Sequence, residues 1–124
     1  MRLLLDTNVL LWSLEDHPRL APFRDAVTDG ANVVFFSAMS VAEISLKSSL
    51  GKLQVEPGYA DALAAAGYRE LHLTARHAEA AADLPWHHRD PFDRLLIAQA
   101  LVEGLTVATA DRVFEQYEVR VLGA

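Results

Sequence analysis

Five carboxylates in this chain sit where the pattern ends a strand or opens a helix, and that placement suggests one shared chemistry. Asp6 directly follows Leu3-Leu4-Leu5. Glu43 lies on the helix that follows a strand ending near Ser37. Asp90 and Asp93 open a long helix, and Asp111 comes two residues after Thr109. Carboxylates gathered in one place repel each other unless a cation sits among them. Hard divalent ions such as Mg²⁺ or Mn²⁺ take oxygen ligands and suit such a cluster.

Each acid also has a structural reading. Asp6 can cap a helix, but its position behind three apolar residues favours function. Glu43 stands three residues after Ser40, the spacing of a capping box, so its local reading is divided. Asp90 before Pro91 has the pattern of an N-cap with proline at the first helical position. Asp93 falls in the first helical turn, where a carboxylate favours the helix dipole, and Asp111 can cap a short helix. Among the cations, Arg89, Arg94 and Arg112 lie beside these acids in sequence, with His87 and His88 close by. They suit either the grip on a phosphate backbone or a solvated surface. Lys47 and Lys52 read as surface residues. His87-His88 does not make a zinc site, since no other histidine pair has helical metal spacing.

The elements that must position these residues alternate. Residues 2–6 read as a short buried strand and 8–15 as a helix with Val9, Leu10, Trp12 and Leu14 at helical spacing. A helix over 19–29 precedes a strand at 32–36, rich in β-branched and aromatic residues. Ser40 is expected to open the next helix and Gly51 to close it. Residues 59–66 read as a helix, 68–73 as a weaker strand, and Thr74 caps an alanine-rich helix reaching about Asp83. A loop over 84–89 leads to the helix at 91–103, which ends at Gly104. A strand at 105–109, a short helix at 111–117 and a strand at 118–122 complete the chain. Strands that are apolar throughout, alternating with helices, predict an α/β fold of three α/β/α layers around a mainly parallel sheet. In such sheets ligands bind beyond the carboxyl ends of the strands.

The 124 residues predict a single domain spanning 1–124, and a hydrophobic content of 52% is ample for its core. The apolar runs are too short for a membrane span and the N-terminus does not resemble a signal peptide, so the expectation is a soluble, cytoplasmic protein with no membrane partner. The absence of cysteine excludes disulfides, thiolate metal sites and a cysteine nucleophile. A net charge of −6 argues against a broad basic nucleic-acid surface, but not against an enzyme whose acids hold cations that meet the phosphate.

Taken together, four segments resemble the PIN-domain nucleases in order: Leu4-Leu5-Asp6-Thr7-Asn8-Val9-Leu10, Ser37-Ala38-Met39-Ser40-Val41-Ala42-Glu43-Ile44, Asp90-Pro91-Phe92-Asp93-Arg94-Leu95-Leu96-Ile97-Ala98-Gln99-Ala100, and Thr109-Ala110-Asp111. The resemblance spans nearly the whole chain and points to the VapC-type toxins of type II toxin–antitoxin pairs. It implies a Mg²⁺-dependent endoribonuclease, with Mn²⁺ able to substitute, whose catalytic and metal-binding acids are Asp6, Glu43, Asp93 and Asp111. Asp93 is preferred to Asp90 as the third acid, with Asp90 kept as a cap. Thr7, Asn8, Ser37 and Thr109 would hydrogen-bond the carboxylates or a water, and Arg89, Arg94 and Arg112 would meet the RNA. The same resemblance implies a homodimer and a cognate antitoxin. A groove for that antitoxin can come from Leu11, Trp12, Ile44, Leu46 and Leu50, although burial in the core is the commoner fate of such residues.

Two other aspartate-dependent folds fail on named residues. A haloacid dehalogenase needs a second aspartate where Asn8 stands, and a receiver domain needs a late lysine, whereas no lysine follows Lys52. The remaining alternative is a non-catalytic PIN-like module that binds RNA or protein.

Overall fold

A computed structural model of the chain describes residues 1–123. Five strands, β1 (Arg2–Leu5), β2 (Val33–Ser37), β3 (Arg69–Leu71), β4 (Thr106–Ala108) and β5 (Val121–Leu122), form one sheet in the order β3-β2-β1-β4-β5. Every pairing is parallel, so the sheet expected to be mainly parallel is wholly so among the described residues. In the centre, Leu4 aligns with Phe35 on one side and with Val107 on the other.

Six α-helices cover the sheet: α1 (Thr7–Glu15), α2 (Ala21–Thr28), α3 (Ala38–Ser49), α4 (Tyr59–Ala65), α5 (Ala75–Ala82) and α6 (Pro91–Glu103). The strand period of two divides the core between the two faces of the sheet. Leu3, Leu5, Val34 and Phe36 pack with Val9, Leu10, Phe23 and Leu63 from α1, α2 and α4. Leu4 and Val107 pack with Leu96, Ile97 and Ala100 of α6 and with Phe114. That is the three-layer α/β/α arrangement.

Local differences from the expected elements are mainly at their ends. The segment 19–29 divides into a 3₁₀ turn, Pro18–Leu20, and α2, while the helix expected at 111–117 is a 3₁₀ helix over Arg112–Gln116. The capping box expected at Ser40–Glu43 is not formed. Helix α3 starts earlier, with Ser37 Oγ accepting from Met39 N, because the strand runs straight into the helix. A reciprocal box occurs instead at the start of α5, between Thr74 and His77. Asp90 caps α6 by accepting from Phe92 N and Asp93 N, and Gly104 ends that helix at φ 68°, a conformation open to glycine. Among the described residues no helix is long and apolar enough to cross a membrane.

Candidate active site

The strand order turns at β1, which continues to β2 on one side and to β4 on the other. Beyond the carboxyl ends of β1 and β4 lies a crevice, the usual ligand position in open α/β sheets. Asp6 occupies it. Its backbone N–H still donates to Ala108 O at 3.0 Å, which extends the β1–β4 ladder, while its carboxylate already caps α1 by accepting from Val9 N at 2.8 Å. The second carboxylate oxygen accepts from the Thr109 hydroxyl at 2.5 Å. One residue thus ends a strand, starts a helix and faces the crevice.

Of the other acids, Asp111 lines the same cleft, while Glu43 and Asp93 lie outside its lining. A cleft of about 270 Å³ is lined by Asp6, Asn8, Trp12, Arg19, Ala110 and Asp111. Asp111 is exposed at its edge, caps the last 3₁₀ helix by accepting from Val113 N, and is oriented by a bond from its own N–H to Thr109 Oγ1. Glu43, on the second turn of α3, is buried. Its carboxylate accepts from the Thr7 hydroxyl at 2.8 Å and from Lys47 Nζ at 2.7 Å. Asp93 is half-buried on the first turn of α6.

Burial and mutual repulsion leave their mark on the acids. Burial pushes the Asp6 carboxyl up to about 6, against the hydrogen bonds from Thr109 and Val9, with Asp111 and Glu43 adding to the rise. Asp93 is pushed up to about 7, first by burial and then by Asp90, Asp6, Glu43 and Asp111. Its perturbers are the other proposed ligands together with its own cap, so the four acids share one electrostatic neighbourhood. Lys47 is held above its usual range, chiefly by its bond to Glu43 and also by Asp90 and Asp93.

The donors are all hard oxygen atoms, and their cost of crowding is the kind that a divalent cation relieves. Among the described residues no three Asp, Glu or His side chains are close enough together to enclose an ion.

Several residues do something other than the sequence suggested. Arg94 is buried, and its guanidinium donates to the carbonyls of Ala81, Leu84 and Pro85 and lies 3.6 Å from the centre of the Trp86 ring. Those bonds take three of its five N–H donors, and burial keeps the guanidinium from an RNA contact. Arg94 holds the 84–89 loop, whereas Arg89 and Arg112 are exposed. Ser37, fully buried, donates to Gln99 Oε1 at 2.6 Å and touches no acid; it ties β2 to α6. Thr7 and Thr109 do bond carboxylates, and Asn8 is exposed on the cleft. Lys47, read as a surface residue, is half-exposed but anchored on Glu43. Arg19 had no local signal at all and reaches the cleft only through the fold.

A PIN-domain profile matches residues 3–119. The chain belongs to the PIN-domain family. No curated protein matches this PIN domain significantly by sequence. Among solved structures it is similar to VapBC2 from Rickettsia felis bound to a promoter DNA fragment, with 16% identity, a TM-score of 0.73 and coverage of 98% of this chain and 97% of that one. It is also similar to DNA-bound VapBC from Salmonella typhimurium, at 18% identity and a TM-score of 0.69 over 98% and 96% of the two chains. FitAcB from Neisseria gonorrhoeae shares 25% identity at a TM-score of 0.63, over 96% and 95%.

Proposed function

We propose that this PIN domain is a metal-dependent endoribonuclease and the toxin of a toxin–antitoxin pair. The observation that carries the reading is the buried Asp6 at the turning point of the sheet, sharing one field with Glu43, Asp93 and Asp111. Asp6 and Asp93 would be the main ligands of Mg²⁺, for which Mn²⁺ can substitute, with Glu43 and Asp111 holding a second ion or orienting a water. The bound cation would supply activation of that water and charge stabilisation at the scissile phosphate. Thr109 keeps the Asp6 carboxylate aimed, Thr7 does the same for Glu43, and Asn8 offers a polar contact at the cleft. Arg89 and Arg112, both exposed, would meet flanking phosphates.

The partner assignment draws on the structural neighbours, which are VapBC and FitAcB assemblies. A groove of about 870 Å³ fits an antitoxin segment. It is lined by Leu11 and Leu14 of α1, by Leu53 and Val55 beyond α3, and by Tyr59 of α4. It differs from the groove expected from sequence: Ile44 is fully buried, and Trp12 faces the acidic cleft instead. A homodimer and a cytoplasmic site of action complete the proposal.

The test is cleavage of a mixed pool of structured and single-stranded RNAs by the purified chain, with Mg²⁺ or Mn²⁺, with EDTA, and with Asp6→Asn. Cleavage that requires metal and disappears in Asp6→Asn supports the reading. A chain that neither cleaves RNA nor binds Mn²⁺ overturns it and leaves a non-catalytic binding module.

A further inference from the structure

Arg19 is the cationic residue in the lining of the acidic cleft. Three features fix it there. His17 caps the Pro18–Leu20 turn by accepting from Arg19 N at 3.1 Å, and Pro18 restricts the same turn. The Trp12 ring stacks on His17 with centroids 6.3 Å apart. The Arg19 guanidinium then lies over the Trp12 ring, 4.6 Å from its centre, within the range of a cation–π contact. The side chain is exposed, yet its direction is set by an aromatic surface on α1, the helix that Asp6 caps.

The charge of Arg19 is also unspent. The ion pairs among the described residues are Arg24–Asp16, Lys47–Glu43, His72–Glu70 and His77–Glu103, and Arg19 is in none of them. Asp6 and Asp111 share its cleft without pairing to it. A planar guanidinium with free donors matches the oxygens of a phosphate bidentately. A phosphodiester entering this cleft meets the carboxylates of a chain with net charge −6, so a fixed cation at the entrance answers a definite electrostatic need.

We propose that Arg19, braced on Trp12, is a phosphate-positioning residue that takes a non-bridging oxygen of the RNA backbone beside the Asp6–Asp111 carboxylates. This rests on the nuclease reading above and adds the residue that orients its substrate.

The experiment compares the unaltered chain with Arg19→Gln and Arg19→Lys. It follows binding of a fluorescent single-stranded RNA in EDTA across a salt series, then KM and kcat with Mg²⁺, and Mn²⁺ affinity without RNA. Arg19→Gln is expected to weaken RNA binding and raise KM about tenfold, with a smaller change in kcat. It should also reduce the slope of log affinity against log salt by about 0.7, the value for one phosphate contact on a single strand. Arg19→Lys should restore the salt slope but only part of the affinity, because a point charge lacks the fork. Mn²⁺ affinity should not weaken in either. RNA affinity and salt slope at parental values in Arg19→Gln overturn the proposal while leaving the nuclease intact. RNA binding that depends on Arg19 without any metal-dependent cleavage supports the phosphate role and rejects the nuclease. An unaltered chain that neither binds nor cleaves RNA overturns both.

Discussion

Asp6→Asn should make the metal-free protein more stable at pH 8, although it should abolish the proposed activity. The Asp6 carboxyl titrates at about 6 in the folded chain against an ordinary 3.8. At 1.36 kcal/mol per pK unit, that difference amounts to about 3 kcal/mol. The sign follows from proton uptake. With its folded value raised, Asp6 contributes stability that is fully present below pH 3.8 and is lost as pH rises through about 6. Asparagine removes the buried charge and keeps the cap, since Asn and Asp cap comparably. It upsets the bond from Thr109, at a cost of about 1 kcal/mol. The net gain at pH 8 in EDTA is therefore about 2 kcal/mol, or roughly 6–10 °C in Tm for a domain of this size. The advantage shrinks on acidification, and the two stability curves should cross between roughly pH 4 and pH 5. Urea unfolding followed by circular dichroism at pH 8 and pH 4.5 measures it. Added Mg²⁺ should stabilise the parent by mass action and leave Asp6→Asn unmoved. An Asn variant less stable than the parent at pH 8, or a difference independent of pH, would mean that the Asp6 carboxylate carries no such burial cost.

Three further outcomes are expected. Arg94→Ala removes a buried guanidinium that satisfies three carbonyls, and should cost about 3 kcal/mol, with faster amide exchange in the 84–89 loop; unchanged exchange there would deny the clamp. Ser37→Ala deletes both the cap of α3 and the partner of buried Gln99, and should cost about 2 kcal/mol in urea unfolding, whereas a loss below 0.5 kcal/mol would show the pair to be dispensable. Lys47→Met takes one cation out of the acidic neighbourhood and should tighten Mn²⁺ binding roughly two- to five-fold, the effect of about 0.5–1 kcal/mol of relieved repulsion. Weaker binding in a calorimetric titration would mean that Lys47 serves chiefly to orient Glu43.

Much of this molecule was legible in the chain. Apolar runs such as Leu3-Leu4-Leu5 and Val33-Val34-Phe35-Phe36 announce strands buried on both faces, and strands of that kind with intervening helices demand parallel pairing. Strand order then places Asp6, Thr109 and Asp111 at one edge, because a residue just after a buried strand has few other places to go. The caps at Asp90 and Thr74 are local hydrogen bonds, formed within three residues and therefore visible in spacing. Spacing misled where a second partner competed. Ser40 and Glu43 have the separation of a capping box, but Ser37 starts the helix, and Glu43 is drawn to Thr7 and Lys47.

What the tertiary structure alone decided is the direction of long side chains. An arginine on a first helical turn can point to water or fold back, and the open carbonyls of the 81–85 segment settle the matter for Arg94. Arg19 reaches the acids because α1 and the following turn set Trp12 beneath it. Gln99 finds Ser37 across 62 positions in the chain. Backbone pattern follows from the residue and its near neighbours, whereas a flexible charged side chain takes its partner from whatever the fold brings within reach.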